Sequence, residues 1–437
     1  MNSDRVSKLL GHLANDEASL RKAGVAASAT AAIQSSNFGS VGSKNADDVV
    51  VVSALRTAIG KARKGAFKDT TPDDLLTAVF KAVVEQGKVD PKELGDVVVG
   101  NVQTVGAYSL PARTSQFRAG FPETVGVRAV NRQCSSGLQA VASIASEIKS
   151  GYIDAGIGAG VESMTNGGNP GDPSSLPPMN LGEIFENPLA AAALTPMGMT
   201  SETVAERYGI TREEQDKMAA ESHRRALKAQ KEGRFNDEIV PVKVTTEDAD
   251  GNEKEVVIAK DDGPREGTTE EGLAKLKPAF KKGGSTTAGN ASQVSDGAAA
   301  VLLMRRSKAE SLGVPIIGVF RGFKVVGVQP DEMGIGPAAA IPALLEDTDL
   351  KVSDIDIYEI NEAFASQATY CVKKLGIPME KVNPLGGAIA LGHPLGMTGA
   401  RQVATLLHEL RRTKKKTGVV SMCIGTGMGA AGLFEAC

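Results

Sequence analysis

Twice in this chain, over residues 48–166 and again from about residue 315 to the end, short apolar runs alternate with segments of helical period. That doubled rhythm restricts the possible folds more than any other feature. In the first stretch, strands are expected at 49–53, 96–99, 125–130 and 155–160, with helices at 73–86, 110–119 and one opening at or just before Cys134. Apolar strands separated by helices are the pattern of a sheet covered on both faces, hence an α/β fold. The second stretch repeats the order: a strand, a helix at 338–345, a strand at 356–358, and helices at 361–375 and 398–410. Two strands then follow, at 418–422 and 428–434, joined by Cys423-Ile424-Gly425-Thr426-Gly427. A duplication of this kind would bring the helix after Cys134 beside the helix at 398–410.

Between the repeats the character changes. Residues 167–283 hold Pro/Gly-rich connections, a charged helix at 212–232 and a polar segment at 245–267, and residues 296–304 then return to buried-strand character. The expected organisation is a leader at 1–46, an N-terminal half from 47–166 and 284–312, an inserted loop domain at 167–283, and a C-terminal half at 313–437.

Composition narrows the class. A chain of 437 residues can bury two or three structural units without disulfide staples. A net charge of −3 supplies no basic field for nucleic acid, and no apolar run approaches the roughly 20 residues that cross a bilayer. Cys134, Cys371, Cys423 and Cys437 lie far apart, which argues against a disulfide scaffold or a zinc site and for a reducing compartment. No metal or resident cofactor is expected.

The chemistry centres on Asn131-Arg132-Gln133-Cys134-Ser135-Ser136-Gly137-Leu138. Leu138, Val141, Ile144 and Ile148 recur at helical spacing, so Cys134 is placed at a helix start. Peptide N–H groups and the helix dipole there favour a thiolate, lowering the thiol below its reference pKa of about 8.5. The alternative is a small buried apolar residue. His393, between Gly392 and Pro394, reads alone as a turn residue, and Asn361 as a helix N-cap. Cys423 reads as hairpin filler whose flanking glycines let a ligand approach. Cys371, His223 and His408 read as core, surface or packing residues.

Taken together, NRQCSSG, GNAS, NEAF, GGAIALGHPLG and CIGTGMG, in that order, resemble the thiolase family along nearly the whole chain from residue 48. The resemblance implies a duplicated fold, two βαβαβαββ halves in a five-layer αβαβα arrangement with an inserted loop domain, and a homodimer. It implies thiolytic cleavage of 3-ketoacyl-CoA, with coenzyme A as a substrate. Cys134 would be the nucleophile, His393 its activator and Cys423 the acid/base at the α-carbon of acetyl-CoA. One oxyanion site would be His393 with a water held by Asn361, the other the backbone N–H groups of Cys134 and Gly425. Ser292 matches a serine that contacts the pantetheine arm and Arg265 a basic position near the nucleotide; Met197, Met333 and Phe364 would line the acyl cavity. Pro196 stands where the bacterial biosynthetic form has histidine, which leans toward degradation. A biosynthetic acetoacetyl-CoA thiolase and a non-catalytic acyl-CoA or lipid carrier are the competing readings. A decarboxylating ketoacyl synthase would not need Cys423.

The leader lacks the apolar core of a secretory signal. Arg5-Val6, five residues, then His12-Leu13 resembles an N-terminal peroxisomal targeting signal, read on one face of a short helix by a soluble import receptor. A mitochondrial presequence is the runner-up, disfavoured by Asp4, Asp16 and Glu17 because such leaders are poor in acid.

Overall fold

The computed structural model describes residues 38–104, 107–167, 179–247 and 252–437. Arg5, Val6, His12 and Leu13 lie outside the described residues. The N-terminal strands and helices are β1 (Val49–Thr57), α1 (Pro72–Gly87), β2 (Asp96–Gly100), α2 (Ser109–Arg118), β3 (Gly126–Val130), α3 (Ser136–Ser150) and β4 (Ala155–Ser163). The middle segment supplies α4 (Met197–Tyr208), α5 (Arg212–Lys231) and a hairpin of β5 (Val242–Glu247) and β6 (Glu253–Ile258). After β7 (Ser295–Arg305) the C-terminal elements are β8 (Gly318–Gly327), α6 (Gly336–Asp347), β9 (Ile357–Ile360), α7 (Ala365–Leu375), α8 (Leu395–Thr413), β10 (Thr417–Ile424) and β11 (Met428–Ala436).

Strand order exposes the duplication. The N-terminal sheet runs β3-β2-β4-β7-β1, with β2 parallel to β3 and β4, and β7 antiparallel to both β4 and β1. In the C-terminal sheet β9-β10-β11-β8 repeats the last four positions with the same directions. The counterpart of β3 is a single parallel bridge between Tyr358 and Val382. Among the described residues, the sheets meet edge to edge where Val50 and Val51 of β1 face Val319 and Gly318 of β8.

Alternating side chains sort the layers. β1 sends Val50 and Val52 outward against Leu75, Leu76 and Val79 of α1, and Val49 and Val51 inward. The inward face meets a central layer in which Leu138, Val141 and Ile144 of α3 pack with Val403, Leu406 and Leu407 of α8. On the far side Ile341 and Leu344 of α6 and Val372 of α7 cover Val419 and Leu433. Helices, sheet, helices, sheet, helices make five layers, as the resemblance implied.

Several expectations are corrected. β1 runs on to Thr57 because Arg56, which reads as the end of a buried strand, is neutralised inside the protein by Glu238 at 2.6 Å and Asp261 at 2.7 Å. Residues 245–267, read as a polar segment with no strand assigned to it, contain most of the β5–β6 hairpin, in which buried Val242 and Val244 alternate with exposed Lys243 and Thr245. Contact with the core begins within the supposed leader. The Phe38 ring meets Phe320 edge-on at 4.8 Å, and Gly42 N–H donates to Glu435. The helix expected from Asn361 begins at Ala365, with Phe364 as its cap, so Asn361 is not an N-cap. It sits in extended backbone whose N–H donates to Ser421.

Candidate active site

The site forms where α3 and α8 cross in the central layer. A Cβ on Gly137 would lie 2.6 Å from the Gly396 carbonyl oxygen, and one on Gly399 would collide with the backbone of Leu138. Only glycine permits this approach. Each contact glycine, Gly137 and Gly396, follows a reactive residue by three positions, so the close crossing draws Cys134 and His393 toward one another.

Cys134 lies in a tight turn before the helix rather than at its start. Gln133 has φ of +47°, Ser135 is the cap and α3 begins at Ser136. The Ser136 hydroxyl secures that turn, accepting from Arg132 N–H at 2.9 Å and donating to the Gln133 carbonyl at 2.6 Å. The lowered pKa expected at a helix start is not found. Burial pushes the Cys134 thiol up to about 11, against hydrogen bonds from the N–H groups of Gly425 and of Cys134 itself, and the nearby Glu162 adds to the rise. Two peptide donors cannot offset the loss of hydration, so the resting group is a thiol.

Cys423 is fully buried near the end of β10, paired with Gly429 of β11 and two residues before the hairpin tip where it was expected. Its pKa is held well above the ordinary thiol range by burial, with further contributions from the neighbouring Cys134 and Cys371. The two reactive sulfurs are thus close enough to feel each other's charge. Met333, Ala363 and Phe364 pack around Cys423. A Cβ on Gly425 would have the Met197 sulfur as its nearest neighbour, at 3.6 Å.

His393 is buried and neutral, its pKa lowered to about 3 by burial and then by the Arg401 charge. Its Nδ1 lies 2.7 Å from Thr398 Oγ1 and its Nε2 3.2 Å from Asn361 Nδ2. The Asn361 Oδ1 is buried without a partner. The loop carrying Ser292 is stitched to this wall, since Ser292 N–H donates to Ala363 at 3.0 Å and the Gln293 carbonyl accepts from His393 N–H at 3.0 Å. Gln293 Nε2 reaches the carbonyls of Gly263, Ile389 and Ala390, fixing the approach to the His393 loop.

Cys134, Cys423, Gly425, His393, Asn361, Met197, Met333, Phe364 and Ser292 are therefore linked in one region. Arg265 is not: its side chain is exposed, and its N–H donates to Nδ1 of the buried His223 at 3.2 Å. His223 is a packing residue with its pKa lowered to about 4 by burial, Arg265 and Lys61. His408 bonds the Ala54 carbonyl, and Cys371 donates to Gly334. A cleft of about 740 Å³ between α5 and α7 contains none of these site residues.

Sequence reasoning missed Glu162 and Thr398. The buried Glu162 carboxylate accepts from the N–H groups of Val102, Gln103 and Gly396, clamping the start of α8 to the first half, and burial raises its pKa to about 7. Nothing in Val161-Glu162-Ser163 forecasts those partners. Thr398 stands in the first turn of α8, five residues after His393, and that spacing does not forecast the contact either. Among the described residues, no group of three or more His, Cys, Asp or Glu converges to hold a metal ion, and no helix is long and apolar enough to cross a membrane.

This duplicated five-layer architecture, with paired thiols at the crossing of its central helices, has a clear family assignment. The thiolase N-terminal domain profile matches residues 49–307 and the thiolase C-terminal domain profile residues 314–436, and the chain belongs to the thiolase family. It is 60% identical over 434 residues to the rat protein named peroxisomal 3-ketoacyl-CoA thiolase B, covering 99% of each chain. The dimeric peroxisomal thiolase of Saccharomyces cerevisiae matches with a TM-score of 0.84 at 50% identity, over 90% of this chain and 99% of that one. The acetyl-CoA acetyltransferase of Bacillus anthracis matches with a TM-score of 0.80 at 41% identity, over 89% and 99%.

Proposed function

We propose that the chain catalyses thiolytic cleavage of 3-ketoacyl-CoA by coenzyme A, yielding acetyl-CoA and a shortened acyl-CoA in fatty-acid β-oxidation. The observation that carries this reading is the pair of thiols, half-buried Cys134 and buried Cys423, beside the N–H of Gly425 and a neutral His393. One thiol suffices for acyl transfer; breaking a carbon–carbon bond also requires a proton donor for the departing carbon.

The Cys134 thiol gives its proton to His393 Nε2 as its sulfur attacks the keto carbon. The bond between α- and β-carbons then breaks, leaving an acyl group on Cys134 and an acetyl-CoA enolate that takes the Cys423 proton. Incoming coenzyme A returns a proton to Cys423, its sulfur attacks the acyl-cysteine, and Cys134 leaves with the proton from His393. Negative oxygen is held in turn by His393 with an Asn361-bound water and by the N–H groups of Cys134 and Gly425; loss of one such donor costs about 3 kcal/mol. Ser292 would contact the pantetheine arm, Arg265 the nucleotide, and Met197, Met333 and Phe364 the acyl chain. Coenzyme A enters as substrate, with no resident cofactor.

The names of the relatives support a peroxisomal site of action, because the match to the rat protein spans 99% of the chain and so includes most of the leader. In that reading a soluble import receptor takes Arg5, Val6, His12 and Leu13. The dimeric yeast relative supports a homodimer. Likeness to the Bacillus anthracis acetyltransferase favours a second reading, the biosynthetic joining of two acetyl-CoA molecules. Incubation with C4 to C16 ketoacyl-CoAs, followed by peptide mapping, tests the proposal. Acylation at Cys134 and turnover of long chains are expected; labelling elsewhere refutes the assignment, and turnover confined to C4 favours the second reading. Cys423→Ser should slow α-proton exchange, and an unchanged exchange rate would remove its role.

A further inference from the structure

We infer that Thr398 is a positioning residue that selects the tautomer of His393, leaving Nε2 as the bare nitrogen that faces Asn361. The inference rests on the reading of His393 as the base for Cys134. Thr398 lies in the first turn of α8 and is buried, as is His393. Its Oγ1 is 3.0 Å from the Pro394 carbonyl oxygen, which can only accept. The Pro394 carbonyl also accepts from the N–H groups of Met397 and Thr398, so it does not by itself fix the hydroxyl; with the hydroxyl hydrogen on Pro394, Oγ1 presents a lone pair to His393 Nδ1 at 2.7 Å. Nδ1 must then carry the ring hydrogen. Nε2 has its lone pair free to accept from Asn361 Nδ2 at 3.2 Å, which can only donate.

The Asn361 Nδ2 facing Nε2 matches this orientation of the Thr398 hydroxyl and not the reverse one. A threonine hydroxyl bonded to the carbonyl four residues back is common in helices and by itself indicates nothing. Here the same oxygen also holds the imidazole, and the Asn361 amide on the far ring nitrogen selects which way the hydroxyl faces. When Nε2 receives a proton, the chain from Nδ1–H through Oγ1–H to the Pro394 carbonyl stays intact, so the imidazolium forms with its second N–H already bonded. Without an acceptor at residue 398, the Nδ1–H would be buried unpaired, and the ring would move its hydrogen to Nε2. That nitrogen could not then take the Cys134 proton.

The test is the full-length protein as wild type, Thr398→Val and Thr398→Ser. Isotope-labelled histidine reports whether Nδ1 or Nε2 bears the hydrogen, and with four histidines in the chain the His393 signal is assigned by its loss in His393→Gln. Wild type and Thr398→Ser should show Nδ1–H, and Thr398→Val a shift toward Nε2–H. The kcat of Thr398→Val should fall about 10- to 100-fold with KM little changed, as for loss of other residues that orient an imidazole, and Thr398→Ser should restore most of it. An unchanged tautomer in a folded Thr398→Val overturns the inference, as does a fall in kcat that serine fails to restore. Wild type without thiolytic turnover would instead refute the functional reading, while the spectra would still decide the tautomer.

Discussion

The ionisation of Cys134 offers a direct measure of whether burial or backbone hydrogen bonding governs the nucleophile. Its pKa rises from an ordinary 9.0 to about 11. Two units lower the thiolate population at neutral pH about 100-fold, to about one molecule in ten thousand. Glu162 contributes to the rise, so Glu162→Gln should lower the Cys134 pKa while leaving burial as the larger cause. The assay is the rate of carbamidomethylation at Cys134 by iodoacetamide, followed by peptide mass spectrometry across pH in a Cys423→Ser background. The rate should climb with pH past the ordinary thiol range and bend near 11, with the bend moving downward in Glu162→Gln. A plateau at or below about pH 8 would show that a thiolate is already present in the resting protein, as helix-start reasoning predicts, and would refute the burial argument. Wild-type activity near neutral pH then depends on His393 taking the proton during the reaction, not on a pre-formed thiolate.

Other consequences are as specific. Gly137→Ala puts a methyl group 2.6 Å from the Gly396 carbonyl oxygen, and overpacking of this kind costs about 1–3 kcal/mol. Urea denaturation should register that loss, and kcat should fall further than stability alone explains because the helix crossing also aligns Cys134 with His393. Arg56→Met leaves Glu238 and Asp261 buried without their cation and should cost about 3–5 kcal/mol in the same assay; a loss under about 1 kcal/mol would refute the account of the β1 extension. Asn361→Ala removes the donor at His393 Nε2 and should lower kcat about 100-fold, with the pH dependence of Cys134 alkylation unchanged. A parallel shift in alkylation would mean that Asn361 acts on the cysteine itself.

The doubled strand–helix rhythm and the burial of α3 and α8 were legible from residue order, whereas the grouping of Cys134, His393, Asn361 and Cys423 in one site was implied only by the family resemblance. Local periodicity dictates which face of an element must be buried, and two matching series of such faces satisfy each other by stacking. Protonation was not legible. Cys134 looked like a thiolate from its place before a helix, yet the surrounding protein removes its water and reverses the direction of the shift. The same holds for Arg56, whose partners come from residues 238 and 261, and for Glu162, whose acceptors are occupied by N–H groups at 102, 103 and 396. Periodicity is a property of neighbours along the chain, while solvation and charge pairing depend on which distant segments close over a group. Residue order therefore determined the elements, family resemblance marked the reactive side chains, and tertiary packing decided which of them carry a proton.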